Sequence, residues 1–172
     1  AFKKRWFRHE TLETFNLPDE GLRGHVVVAG GGRVGFQIAR VLKRLDTPFA
    51  VVELDHHRFE KAKIEGMAVV FGDAAQKFVL EAAGIREAAL LILAVPGLAA
   101  AKDIIRQVRR MNPKLDIIAR APGPDYFALF EELGVAVAVL PEFEASLELA
   151  RQALLHLNVP PTEIQRHTDT AR

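Results

Sequence analysis

The stretch His25-Val-Val-Val-Ala-Gly-Gly-Gly-Arg-Val-Gly35 narrows the fold more than any other part of the chain. Four apolar residues, Val26 to Ala29, are the length of a buried strand. They run into Gly30-Gly31-Gly32-Arg33-Val34-Gly35, which fits G-x-G-x-x-G at Gly30, Gly32 and Gly35. An apolar stripe follows at Val34, Ile38, Val41, Leu42 and Leu45, the spacing of one helix face. Strand, glycine turn and helix stand in the order that a dinucleotide site requires. Gly30 allows a sharp turn off the strand, Gly32 allows a pyrophosphate to approach the backbone, and Gly35 allows helix and strand to pack closely. The first helical turn offers free N–H groups and a partial positive charge to a phosphate, and Arg33 adds a formal charge there.

The rest of the chain repeats the unit. Helix-breaking Asp46-Thr-Pro48 leads to a second strand, Phe49–Val52, ending at Glu53-Leu-Asp55. Glu53 stands about 20 residues after the turn, where a carboxylate accepts hydrogen bonds from the ribose hydroxyls. That carboxylate repels a 2′-phosphate, which favours NAD over NADP; Asp55 is a second candidate for the role. A helix over 57–65 precedes a third strand, 67–71, that ends in Gly72-Asp73-Ala74. Asp73 is placed to meet an adenine amino group or to cap the helix over 76–83. The near-continuous apolar run Ala89–Val95 reads as a strand covered on both faces, as in a parallel sheet. A helix from Leu98 to Met111, a fifth strand over 115–119 with Arg120 at its carboxyl end, and a helix crowded with Tyr126, Phe127, Leu129, Phe130 and Leu133 come next. A sixth strand, 135–140, and a last helix, 141–157, complete the series. Arg120 reads as a second phosphate ligand or as a surface charge. The Tyr126–Leu133 stripe reads as core or as a subunit interface.

The fold class is therefore α/β: a three-layer, Rossmann-like, doubly wound parallel sheet of six strands with helices on both faces. The expected organisation is an arm and linker over 1–24, the nucleotide-binding domain over 25–157 and a polar, frayed tail over 158–172.

Composition removes other classes. A net charge of +1 lacks the basic excess of general nucleic-acid binders, and no nucleic-acid partner is expected. With no cysteine there is no disulfide framework or thiol chemistry. No run reaches the roughly 18 apolar residues of a membrane span. His56-His57 is the only histidine pair, and no spacing marks a metal site. Nucleophile-elbow, kinase and P-loop motifs are missing, so no catalytic residue is assigned. The arm Phe2-Lys-Lys-Arg-Trp-Phe-Arg8 interleaves four basic residues with three aromatics. It reads either as a juxtamembrane segment or as a solvated tail.

Several motifs together resemble the regulator-of-potassium-conductance domain, also called KTN or TrkA-N. They are Val-Val-Val-Ala-Gly-Gly-Gly-Arg-Val-Gly35, Ala-Val-Val-Glu-Leu-Asp55, Val-Phe-Gly-Asp-Ala74 with Ala-Gly-Ile85, and Asp-Ile-Ile-Ala-Arg-Ala121. Glu-Leu-Gly134 and Phe-Glu-Ala-Ser-Leu-Glu-Leu149 point to the Kef-type branch of monovalent cation:proton antiporters. The resemblance implies a dimeric, non-catalytic regulatory domain on the cytoplasmic face of the membrane. It would serve a transmembrane cation transporter unit, expected in the same full-length chain, and bind NAD(H) or an adenine nucleotide (AMP, ADP or ATP) as a gating ligand. The dimer is expected through the later helices. The implied ligand contacts are Gly30, Gly32, Arg33, Val34 and Gly35, with Glu53, Asp55, Asp73 and Ala74, and with Arg120 near the mouth. The resemblance also favours the juxtamembrane reading of the arm. Pro122 stands where glutathione-gated members carry a second arginine. The alternatives are an NAD-dependent oxidoreductase domain and a separate soluble regulatory subunit of a potassium uptake system.

Overall fold

The structure is a computed structural model and describes residues 12–171. The arm Phe2–Arg8 lies outside the described residues. Seven strands form one sheet: β1 Thr14–Phe15, β2 Val26–Ala29, β3 Phe49–Glu53, β4 Val69–Phe71, β5 Leu90–Leu93, β6 Asp116–Arg120 and β7 Val137–Val139. Helices α1 Arg33–Arg44, α2 His56–Ile64, α3 Lys77–Ala82, α4 Leu98–Met111 and α5 Tyr126–Glu132 alternate with them, followed by α6 Pro141–His156 and α7 Pro161–Ala171. The spatial order is β1-β4-β3-β2-β5-β6-β7. Strands β2 to β7 are parallel, and the order reverses between β2 and β5, so the Rossmann-like doubly wound reading holds.

Strand alternation divides the core in two. Val28, Val51 and Val69 face Phe36 and Ala39 of α1 and Phe59 of α2. Val27, Ala29, Leu91, Leu93, Ile117 and Ala119 face the opposite way, onto α3, α4 and Phe130 of α5. Helices on both sides explain why all four residues of β2 are buried. Helix α1 buries Gly35, Phe36 and Ala39 and packs Ile38 and Leu42 partly against the same cluster, whereas Val41 and Leu45 of the expected stripe are exposed. Arg40 of α1 clasps Glu65 at the end of α2 through two hydrogen bonds of 2.9 and 2.7 Å. That pairing lowers the Glu65 carboxyl pKa from its usual value and raises that of Arg40.

The structure corrects three expectations. The sheet has seven strands, because Thr14–Phe15 adds an antiparallel edge strand to β4, with Thr14 opposite Val70. Residues 12–24 are thus not only linker; Leu12 and Leu17 also pack against the main core. Residues 158–172, expected as a frayed tail, contain α7, whose Ile164 is buried at 2% exposure. The run Ala89–Val95 is not covered on both faces: Leu91 and Leu93 are buried, but Leu90 and Ile92 are half-exposed.

The third correction has a wider structural basis. Val28, Ile92, Ile118 and Val137 lie side by side in register across β2, β5, β6 and β7. Val28 is covered, Ile92 and Ile118 are partly covered, and Val137 is 49% exposed. Helices α1 and α2 end their cover near the sheet's centre, and α6 buries none of its own residues. Among the described residues no helix is long and apolar enough to cross a membrane.

Candidate functional site

A cavity of about 650 Å³ opens over the carboxyl ends of the central strands, at the reversal of strand order. Its size lies within the range of small-molecule sites. Gly30, Gly32, Arg33 and Val34 border it, as do Glu53, Asp55, Asp73, Ala74 and Arg120. Gly35 alone of the expected residues does not.

The three motif glycines have three different reasons. Gly30 has φ +104°, and an added Cβ would stand 3.0 Å from the carbonyl carbon of Ala94 on the neighbouring β5 turn. A Cβ at Gly35 would collide with the carbonyl of Gly30. These two glycines satisfy needs internal to the fold. Gly32 has no such need: its φ is an ordinary −72°, and a Cβ there would meet no atom within 4 Å. That methyl would instead enter the cavity, at the N-terminus of α1. The first turn of α1 contains no acidic residue, and the cap residue provides no side-chain acceptor. Its N–H groups and positive dipole end therefore face open space.

The carboxylates are positioned by backbone donors. Glu53 ends β3 at 4% exposure. It accepts the Gly31 N–H at 2.5 Å on Oε2 and the Asp55 N–H at 2.7 Å on Oε1. It therefore links the glycine turn of β2 to the end of β3. Asp55 caps α2 by accepting the Arg58 N–H at 2.9 Å. Asp73 accepts the Ala75 N–H at 2.8 Å, while the cap position of α3 belongs to Gln76, so the expected helix-capping role does not apply. Arg120 ends β6 with its Nε buried and without a hydrogen-bond partner among the described residues. A buried guanidinium N–H without an acceptor is costly unless something supplies one.

Sequence reasoning missed other parts of the lining. Arg58, in the first turn of α2, holds Nη1 3.6 Å from Glu53 Oε1. Ala94, Val95 and Pro96 follow β5, and Ala100 and Ile104 belong to α4. The β5 residues gained a place only because β5 pairs with β2, an order that no local pattern encodes. Arg58 could have been found from its place one turn after the Glu53-Leu-Asp55 strand end. The donor set fits a nucleotide: helix N–H groups and arginines for phosphate, carboxylates for hydroxyl and amino groups, apolar residues of the β5 end and α4 for a flat base.

Fold and crevice together define a Rossmann-type domain of the nucleotide-binding class. The chain belongs to the TrkA-N domain family, which it matches over residues 26–141. It is 33% identical over 163 residues to the glutathione-regulated potassium-efflux system protein KefC of Salmonella arizonae, covering 95% of this chain and 26% of that protein. It is similar to the crystal structure of the TrkA-N domain of the Escherichia coli inner membrane protein ybaL, with TM-score 0.69 and 31% identity, covering 79% of this chain and 97% of that one. It is also similar to the Shewanella denitrificans Kef CTD in its AMP-bound form, with TM-score 0.72 and 28% identity, covering 85% and 89% of the two chains. The chain spans about a quarter of the length of the curated relatives it matches.

Proposed function

We propose that this chain is the cytoplasmic, non-catalytic sensor domain of a Kef-type monovalent cation:proton antiporter, with NAD(H) or an adenine nucleotide as the regulatory ligand. The observation that carries the reading is Gly32: the fold does not require glycine there, whereas a phosphate on the α1 N-terminus does. The orphaned Nε of Arg120 supports it, and so does the likeness to an AMP-bound Kef domain. Arg33 and the α1 N–H groups would take phosphate, Glu53 the ribose and Asp73 the base. The bordering carboxylates favour binding over catalysis, since Glu53, Asp55 and Asp73 each already hold backbone N–H groups. The ligand would bias transport by differential affinity for two arrangements of the domain.

Calorimetric titration with NAD+, NADH, AMP and ATP tests this. One ligand is expected to bind in the micromolar range. Gly32→Ala should weaken it by more than about tenfold, on the order of 1.4 kcal/mol. The melting temperature should stay nearly unchanged, because the methyl meets no protein atom. Equal affinity in the variant, or no binding of any of the four, ends the nucleotide reading. Steady NADH oxidation with a small carbonyl compound would instead establish a dehydrogenase.

The expected homodimer also belongs to this reading. The half-covered row Ile92, Ile118 and Val137, together with Phe143 and Leu149 exposed on α6, offers apolar surface that a second copy could cover. Val137→Asp should convert a dimer to a monomer in light scattering after size exclusion. A wild-type monomer, or a dimer indifferent to the change, sinks this part.

A further inference from the structure

We propose that Glu13, His56 and Glu60 form a binding site for a divalent transition-metal ion of the zinc type, outside the nucleotide crevice. One donor atom from each residue lies within 4.8 Å of the other two. Ligands of a tetrahedral zinc ion lie about 3.4 Å apart, as follows from bond lengths of about 2.1 Å. His56 Nε2 and Glu60 Oε1 are already 3.7 Å apart. Small side-chain rotations therefore close the set. One imidazole and two carboxylates suit zinc, and also manganese and nickel, and leave positions for water.

The donors are held by the fold. Glu13 immediately precedes β1, and its carbonyl oxygen accepts the Phe71 N–H at 2.8 Å, which fixes its backbone beside β4. His56 and Glu60 are four residues apart on α2 and so share a face. The His56 ring stands edge-on to Phe71, with centroids 5.6 Å apart, and tilted against Phe59 at 6.1 Å. The Glu13 carboxylate has no hydrogen-bond or ion-pair partner among the described residues. Glu60 Oε1, the oxygen 3.7 Å from His56 Nε2, also takes Lys63 Nζ at 3.1 Å, so a metal ion would compete with that lysine. Two carboxylates thus converge from segments more than 40 positions apart, and among the described residues Lys63 is the one lysine paired with them. A divalent ion would remove that repulsion and use the neighbouring imidazole.

The site would fasten the edge strand β1 to α2, the helix that starts immediately after Glu53-Leu-Asp55 of the crevice wall. It needs no nucleotide, so its test is separate from that of the sensor reading. Zn2+ uptake by the full 172-residue chain is measured by calorimetry in a non-chelating buffer at neutral pH, with Mg2+ as the contrasting hard ion. One equivalent of Zn2+ is expected in the micromolar range. His56→Ala and Glu13→Gln should each weaken uptake by at least about tenfold, whereas His57→Ala keeps it. Saturating Zn2+ should slow hydrogen exchange of the Phe71 amide in the wild type and not in Glu13→Gln. Failure to saturate in the micromolar range overturns the proposal. So does retention in both cluster variants, or loss only in His57→Ala. All of these residues are at the surface, so the variants are expected to fold. Phe71 protection that Zn2+ leaves unchanged in the wild type would also overturn the proposal.

Discussion

Gly35→Ala is expected to lower the melting temperature by roughly 6–12 °C, because its added carbon would meet the closest clash of any glycine in the chain. The added carbon has nowhere to go, since it collides with the carbonyl of Gly30. That carbonyl cannot rotate freely. Gly30 is held at φ +104° against Ala94, and its N–H donates to Val52 O at 2.9 Å. Relief therefore requires α1 to lift off the sheet, which disturbs Phe36 and Ala39 in the core beneath it. Overpacking of this kind costs about 3 kcal/mol or more, a large part of a typical domain's stability. Thermal melts of Gly35→Ala beside Gly32→Ala make the comparison decisive. The two changes add the same atom three residues apart, one into backbone and one into the cavity. Equal melting temperatures would mean that α1 is free to shift, and that its close seating on the sheet is not a constraint.

This contrast explains what was legible in the sequence. The turn could be read because its constraints are local: the six residues Gly30–Gly35 decide both the bend and the approach of helix to strand. Glu53, Asp73 and Arg120 could be placed because each ends a strand, and strand ends gather at one edge of a parallel sheet. Edge strand β1 could not be read. Two residues are too few to show alternation, and Thr14–Phe15 is a strand only because Val69–Val70 lies beside it. Helix α7 was hidden because Ile164 is its only buried residue in an otherwise polar stretch. The half-covered sheet face was hidden for the opposite reason. Val137-Ala-Val139 has the composition of a buried strand, and sequence does not say whether cover comes from the same chain. The Glu13–His56–Glu60 cluster inherits the difficulty of β1, which carries one of its three donors.

Glu53→Ala and Glu53→Gln separate the two roles that meet in one carboxylate. In the structure Glu53 is first a brace, because it holds the N–H groups of Gly31 and Asp55 and a looser contact with Arg58. A carboxylate has about four acceptor positions, and these three contacts leave room for one ribose hydroxyl. The second hydroxyl of the diol becomes a partner only when Arg58, 49% exposed, swings toward solvent. Truncation to alanine strands the buried Gly31 N–H and frees the turn, at a cost of about 2–4 kcal/mol. It should also abolish measurable nucleotide binding. Glutamine retains an acceptor for Gly31 but sets an amide group against the Asp55 N–H. It should keep a larger part of the stability and still bind nucleotide at least about tenfold more weakly, the effect of losing a charge-assisted hydrogen bond of about 1.5–3 kcal/mol. Melts and titrations of the same two proteins decide the matter. If Glu53→Gln melts lower yet binds with wild-type affinity, the residue is a brace only, and ribose recognition belongs to Asp55 or Asp73. If both quantities fall together, one buried carboxylate sets the turn's shape and reads the ligand, so the shape of the empty crevice and the affinity of the filled one depend on the same two oxygens.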